Sequence, residues 1–333
     1  MPTYLSEDAV VYVGDCREQL KHLADNSVDS VVTDPPYELG FMGRSWDSTG
    51  VAYDVTVWAE CLRVLKPGGH ILAFGGSRTW HRLAVAVEDA GFEIRDSICW
   101  LYGQGFPKSL NVEKAMNKAG MDGSVAAGLG TALKPAHEPV VVGRKPFGKG
   151  VTVAENVLAW GVGGLNIDGS RIATDENLNG GAYAKSGIER DDGWGMQRAG
   201  AGDYEQPQGR WPANVILDEV TAGLLDEQSG ENPSRFFYQA KASKLDRNEG
   251  LEDSNGHPTV KPTQLMRYLI KLVTPEGGTV LDPFTGSGST GKAALLDGYK
   301  FVGVELTEDY LPIIEGRLRW ALEQGKDVEG QLF

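Results

Sequence analysis

Cysteine is scarce in this chain of 333 residues: Cys16, Cys61 and Cys99 stand far apart, and no CxxC pair occurs. That spacing argues against a disulfide framework and offers no metal-ligand pattern, so no metal is expected. It suits a reducing compartment, and a cytoplasmic protein is expected. Each thiol reads as a small buried side chain, not a nucleophile. Long apolar runs are also missing. None approaches the roughly 18 residues of a spanning helix, which argues against a membrane partner. Met1 to Asp8 show no basic region followed by an apolar stretch, so no secretory signal is expected. Positive charge is in deficit: 32 Lys and Arg stand against 46 Asp and Glu, for a net charge of −14. Taken globally, this argues against loose electrostatic attachment to nucleic acid. No segment repeats at a fixed period.

The positive charge that exists is clustered. Lys134, His137, Arg144, Lys145 and Lys149 lie close together, and Arg235, Lys241, Lys244 and Arg247 form a second group. Local patches matter more than the sum to a phosphate backbone, so both are candidates for phosphate contact.

Three parts follow from pattern. Residues 1–104 alternate strand and helix signals: strands at Ala9 to Val13, Val28 to Thr33 and His70 to Phe74, helices at Asp54 to Leu65 and Arg78 to Ala90, and an extended stretch from Phe92 to Tyr102. Residues 105–256 lose that rhythm and are rich in Gly, Pro, Asn and Ser, with short strand-like pieces at Val140 to Gly143 and Asn214 to Leu217. A separate loop-rich region suited to recognition is expected, with Asp175 to Gln208 mobile in the absence of a ligand. Residues 257–333 return to α/β, with strands at Gly278 to Leu281 and Phe301 to Val304 between helices. Strands and helices on both sides of an insert predict one parallel sheet built from both ends of the chain.

Two strand ends carry chemistry. Asp34-Pro35-Pro36-Tyr37 follows the strand at Val28 to Thr33, where ligands bind in open α/β sheets. A carboxylate, two rigid prolines and an aromatic ring suit a planar amine. The second is Asp282-Pro283-Phe284-Thr285-Gly286-Ser287-Gly288, with Gly291 completing a GxGxxG spacing and Glu305 about 20 residues on. That spacing also fits a nicotinamide dinucleotide site. Asp282 opposes it, because a pyrophosphate would meet a negative charge there. A ligand with an ammonium, a ribose for Glu305 and an adenine fits better, and S-adenosylmethionine has all three. His257 to Pro262 precedes the next helix and could set Thr259 and Lys261 against a methionine carboxylate.

Together these motifs resemble the amino-methyltransferases that modify exocyclic amines of DNA bases. Asp34 to Tyr37 matches the family's catalytic tetrapeptide, and Phe284-Thr285-Gly286-Ser287-Gly288 matches its FxGxG cofactor motif. The catalytic motif comes first and the cofactor motif last, a circularly permuted order resembling the family's β group, in which the intervening region recognises the target. The resemblance implies a Rossmann-like α/β fold with a mixed seven-stranded sheet. It implies that Asp15 and Cys16 border the cofactor adenine, with Asp15 accepting from its amine. DPPY is most typical of N6-adenine enzymes. Phage and bacterial members are also resembled at Gly105 to Ser109 and Ser234 to Tyr238. The expected activity is therefore site-specific methylation of adenine N6 in double-stranded DNA, with the base flipped out of the helix, as in restriction-modification. A homodimer and a cognate restriction endonuclease are partners compatible with it.

In this reading the Asp34 carboxylate and the Pro35 carbonyl accept from the two amine hydrogens, Pro36 holds the backbone, and Tyr37 stacks on the base. Trp160, Trp194, Tyr204 and Trp211 are candidate contacts in the recognition region, and the loop Phe41 to Trp46 could close over the base. N4-cytosine and RNA adenine methylation are the alternatives, and a nicotinamide oxidoreductase is a more distant one.

Overall fold

The computed structural model describes residues 2–40, 45–103, 105, 109–176, 178, 207–241 and 243–329. Its centre is a single sheet of ten strands: β1 (Pro2–Ser6), β2 (Ala9–Val13), β3 (Val28–Thr33), β4 (Leu65–Phe74), β5 (Glu93–Leu101), β6 (His137–Arg144), β7 (Val215–Asp218), β8 (Tyr238–Ala240), β9 (Thr279–Asp282) and β10 (Lys300–Glu305). They lie in the order β1-β2-β10-β9-β3-β4-β6-β5-β7-β8. From β2 through β4 neighbours pair in parallel, whereas β6 runs antiparallel between β4 and β5. The expected seven-stranded mixed sheet is the run from β2 to β5. Three further strands widen it, β1 on one edge and β7 and β8 on the other.

The helices are α1 (Cys16–Gln19), α2 (Val55–Val64), α3 (Trp80–Asp89), α4 (Val112–Lys118), α5 (Val153–Trp160), α6 (Glu219–Ser229), α7 (Lys244–Asn248), α8 (Thr263–Val273), α9 (Ser289–Leu296) and α10 (Leu311–Glu329). Two apolar layers cover the sheet. Val32, Leu72, Val142 and Val280 join the layer under α8, α9 and α10. Val31, Ile71, Val141 and Leu281 point the other way, into the layer with α2 and α3. Strands buried on both faces read as continuous apolar runs, which is why no alternation marks them in the sequence. The polar residues of β3 are satisfied inside. Asp29 takes an ion pair from Lys66 at 2.5 Å and the Thr279 amide at 2.8 Å, and the Ser30 hydroxyl meets that of Thr274 at 2.8 Å.

The middle region differs from a detached insert. Residues 137–144 form β6 in the heart of the sheet, in register with both β4 and β5. β7 and β8 extend the same sheet. Strand pairing is non-local, so the short apolar piece at Val140 to Gly143 carries no sign of its partners.

The glycine-rich turn between β9 and α9 depends on close packing. A Cβ on Gly291 would stand 2.6 Å from both Leu318 and Phe301. Gly223, within α6, faces open space. Gly291→Val should therefore destabilise the fold by about 1–3 kcal/mol through overpacking. Gly223→Ala should stabilise it by about 0.5–1 kcal/mol by stiffening the helix backbone. Urea midpoints moving in opposite directions would check the pair.

Candidate active site

Parallel strands bring their C-terminal ends to one edge of the sheet, and the antiparallel β6 brings its N-terminal end there. Asp15, Asp34, Asp282, Glu305 and Glu138 therefore share the wall of one cavity of about 1220 Å³. From β9 the chain winds to β10 on one side, and from β3 it winds to β4 on the other. The crevice between β9 and β3 is thus the switch point of the sheet, where open α/β folds place ligands. The two sequence motifs follow these neighbouring strands, and the Thr33 hydroxyl donates to Asp282 across them at 2.6 Å.

On the β3 side the Asp34 carboxylate is divided. Its Oδ2 accepts from the Lys261 ammonium at 2.6 Å. Its Oδ1 is buried and has no hydrogen-bond partner among the described residues. Lys261 also contacts the Tyr37 hydroxyl at 3.2 Å and Glu138 at 3.3 Å, above the rings of Phe74 and Tyr37. Burial opposes its charge, but Asp34 and Glu138 outweigh that and hold the ammonium above its ordinary value. The Tyr37 hydroxyl donates to Glu138 at 2.8 Å. Burial first, then Asp34 and Glu138, raises the phenol far above its usual range, so it keeps its proton. The Tyr37 carbonyl accepts from the Thr79 hydroxyl at 2.9 Å, and a Cβ on Gly76 would stand 3.2 Å from the Tyr37 ring. The tetrapeptide, with Pro35 and Pro36 on the cavity wall, is thereby held from both sides.

This geometry corrects the role expected of Lys261. Its charge is committed to two protein carboxylates instead of standing free for a ligand carboxylate. Thr259 is exposed on the cavity wall beside His257, whose Nδ1 lies 2.7 Å from the Thr259 carbonyl. Burial lowers the His257 pKa to about 4, so the ring is neutral.

On the β9 side the Asp282 carboxylate accepts from Thr33, from the Phe284 amide at 3.0 Å and from the Thr290 side chain. Burial nevertheless raises its pKa to about 6. Gly286 and Gly288 adopt φ of +53° and +74°, a left-handed backbone that suits glycine. The Gly286 amide donates to Glu305 at 2.7 Å, and the Thr307 amide donates to its other oxygen at 2.8 Å. Behind the turn, Arg317 donates to the Ser287 carbonyl at 2.8 Å. Phe284 leans against Trp58 with ring centroids 6.0 Å apart. Asp15 caps α1 and is forked by the Arg17 guanidinium, whose hydrogen bonds lower its pKa. Cys16 is buried, and its thiol is pushed up to about 12 by desolvation, so it lines the cavity as an inert wall.

All fourteen residues singled out in the sequence meet around this cavity except Gly288, which caps α9 just behind it. Glu138 was missed. It lies in His137-Glu138-Pro139, before a piece that can be placed at the working edge only once β6 is known to run antiparallel.

Several members of the basic clusters are engaged within the fold. Lys145 donates to Asn26 and to the Arg63 and Leu65 carbonyls, Arg144 pairs with Glu93 at 2.5 Å, Arg235 pairs with Glu176 at 2.7 Å, and Arg247 donates to backbone carbonyls. Of the aromatic candidates, Trp160 and Trp211 are exposed, with Arg171 over the Trp211 ring at 5.5 Å. Trp194, Tyr204, Phe41 to Arg44, Phe106 to Lys108 and most of Asp175 to Gln208 lie outside the described residues. No helix among the described residues is long and apolar enough to cross a membrane, and they contain no cluster suited to a metal ion.

The DNA methylase family model (N6_N4_Mtase) matches residues 28–316, and the chain belongs to that family. Type II methyltransferase M.HindIII of Haemophilus influenzae is 24% identical over 352 residues, covering 92% of this chain and 94% of that protein. Type II methyltransferase M.HpaI of Haemophilus parainfluenzae is 23% identical over 305 residues, covering 90% and 70%. The solved PvuII DNA methyltransferase, described as cytosine-N4-specific, shares the fold with a TM-score of 0.55 at 16% identity, over 99% of this chain and 94% of that one.

Asp282 carries a charge that the folded chain holds at a cost. Its pKa is raised on folding, so its contribution to stability is full below about pH 4 and is lost as pH rises through about 6. Asp282→Asn lacks that loss. Relative to the parent it should gain stability between pH 4 and 7, by about 3 kcal/mol at most. Unfolding midpoints at pH 4.5 and pH 7.5, taken at roughly these bounds of the titration, measure the difference.

Proposed function

We propose that this DNA methylase transfers the methyl group of S-adenosylmethionine to the exocyclic N6 of an adenine in a specific double-stranded DNA sequence, with the base flipped into the cavity. The divided Asp34 carboxylate carries this reading. One oxygen is anchored by Lys261, and the other is a buried acceptor without a partner among the described residues, on a wall shared with Asp282. An unpaired buried acceptor is costly unless a donor arrives, and an exocyclic amine brings two.

The residues present fit the cofactor. Asp282 offers a buried anion to its ammonium, Glu305 retains lone pairs for ribose hydroxyls while bracing Gly286, and the cavity exceeds the size of an ordinary small-molecule site. When bound, S-adenosylmethionine supplies a methyl group on a sulfonium, already activated for transfer. The chain supplies orientation. Adenine N6 is a weak nucleophile because its lone pair is delocalised into the ring. Asp34 Oδ1 accepting from one N–H, and the Pro35 carbonyl from the other, favours a tetrahedral nitrogen and frees the lone pair. Asp34 need not remove a proton first; it can accept one after transfer. The Asp34-Pro-Pro-Tyr form of the motif favours adenine over cytosine as target. An adenine stacked in a duplex cannot enter this crevice, so flipping is required. We assign target recognition to residues 105–256 outside β6, where exposed Trp160 and Trp211 stand.

Expression in a host without adenine methylation, followed by sequencing that reports both N6-methyladenine and N4-methylcytosine, tests the reading. One adenine-containing motif should be modified, and Asp34→Ala should lower its methylation by about 100-fold or more. N4-methylcytosine alone, or methylated RNA beside unmodified DNA, would overturn the substrate. Undiminished methylation in Asp34→Ala would overturn the site.

Cofactor affinity should also fall as pH drops through about 6, where Asp282 gains its proton and stops attracting a cation. Equilibrium dialysis of S-adenosylmethionine across that range should show the fall in the parent and a flat, weaker profile in Asp282→Asn.

A further inference from the structure

We propose that Arg247 binds the carboxylate of the methyl donor. This rests on the reading that the donor is S-adenosylmethionine, whose amino-acid end carries both charges. Asp282 answers the ammonium. The carboxylate then lies in a cavity whose walls also hold Asp15, Asp34 and Glu305, and it needs a cation.

Among the described residues, five Lys or Arg side chains reach the cavity wall: Arg17, Arg78, Lys134, Arg247 and Lys261. Arg17 is forked on Asp15 at the end of β2. Lys261 is neutralised by Asp34 and Glu138. Lys134 donates to the Gly103 carbonyl at 2.7 Å, beyond β5, and Arg78 follows Gly76 at the end of β4. Both lie on the acceptor side of the crevice. Arg247 lies on the donor side.

Its position is fixed by its neighbour. Asp246 takes an ion pair from Lys292 of α9 at 2.7 Å and accepts from the Thr263 amide at 2.8 Å, while Glu249 takes Lys292 at 2.7 Å. Helix α7 is thereby bolted to the helix that follows the glycine turn. Arg247 is carried in beside His257, donating through Nη2 to the His257 carbonyl and, at 3.1 Å, to that of Asn255. His257 in turn lies against the turn, 3.2 Å from where a Cβ of Gly286 would be. The charge of Arg247 reaches both His257 and Arg317, the residue that holds Ser287. No hydrogen bond joins its Nε or Nη1 to a described residue, and neither atom is buried without a partner. Each is a donor on a charged guanidinium at the cavity wall, and a single charge-assisted contact from one of them serves a carboxylate.

Binding of S-adenosylmethionine and of decarboxylated S-adenosylmethionine, measured by equilibrium dialysis on the whole protein, tests this. The parent should prefer the intact compound by about 10- to 100-fold, the range of a charge-assisted contact. Arg247→Gln keeps a donor for the backbone carbonyls but lacks the charge. It should lose that preference while binding the decarboxylated compound as the parent does, and Arg247→Lys should retain part of it. A parallel loss for both compounds would mark Arg247 as a brace only and overturn the inference, as would an unchanged preference. A parent that binds neither compound would instead overturn the cofactor reading itself.

Discussion

A buried ammonium joins the parts of this molecule at their working edge. Lys261 comes from the last third of the chain and meets Asp34 at the end of β3 and Glu138 at the start of β6. Taking three charges out of water costs several kcal/mol each, and attraction recovers this only in good geometry with further hydrogen bonds. Here the Tyr37 hydroxyl supplies one and two aromatic faces flank the cation. Removing the lysine would leave two carboxylates facing each other across Tyr37. The arrangement is therefore better understood as setting the direction of Asp34 than as a source of stability. With Oδ2 held by Lys261, the carboxylate is fixed, and Oδ1 is left as a buried acceptor on a residue that lines the crevice.

The β9 side follows the opposite logic. Asp282 has donors but no cation among the described residues, and burial raises its pKa towards neutrality. Glu305, also buried, is raised in the same direction while its two oxygens hold the Gly286 and Thr307 amides. In the proposed reading, the fold stores negative charge where the cationic donor would relieve it, and neutralises negative charge where the nucleophile is aimed. One crevice contains an anion paired with a cation and an anion held by neutral donors, side by side on neighbouring strands. That contrast separates acceptor from donor chemistry more clearly than either motif alone.

Both motifs were legible in the sequence because each is local. Asp34 to Tyr37 and Asp282 to Gly288 directly follow apolar strands, and strand ends in a parallel sheet converge without further information. The helices at Val55–Val64 and Trp80–Asp89 were legible for a similar reason, since their apolar spacing and flanking glycines are contained within a dozen residues. What could not be read was pairing at a distance. Glu138 belongs to the site only because β6 inserts antiparallel between β4 and β5. Lys261 was recognised as a cation near a ligand, but its partners lie 227 and 123 residues earlier in the chain, and proximity in sequence pointed it at the cofactor instead. Part of the first basic cluster was illegible for the same reason: Lys145 and Arg144 look free in a sequence and are engaged with Asn26, Arg63, Leu65 and Glu93 in the fold.

The middle of the chain consequently cannot be an appendage to a finished catalytic domain. It enters the site twice. Its first crossing supplies β6 and Glu138, without which Lys261 would have one carboxylate instead of two and Tyr37 no acceptor. Its last segment supplies α7, where Asp246 locks to Lys292 beneath the glycine turn and Arg247 reaches the cavity wall. The region is therefore tied to both sides of the crevice, the Asp34 side and the glycine-turn side. Both connections are ion pairs, Glu138 with Lys261 at 3.3 Å and Asp246 with Lys292 at 2.7 Å, so side chains as well as loops join the region to both sides of the crevice.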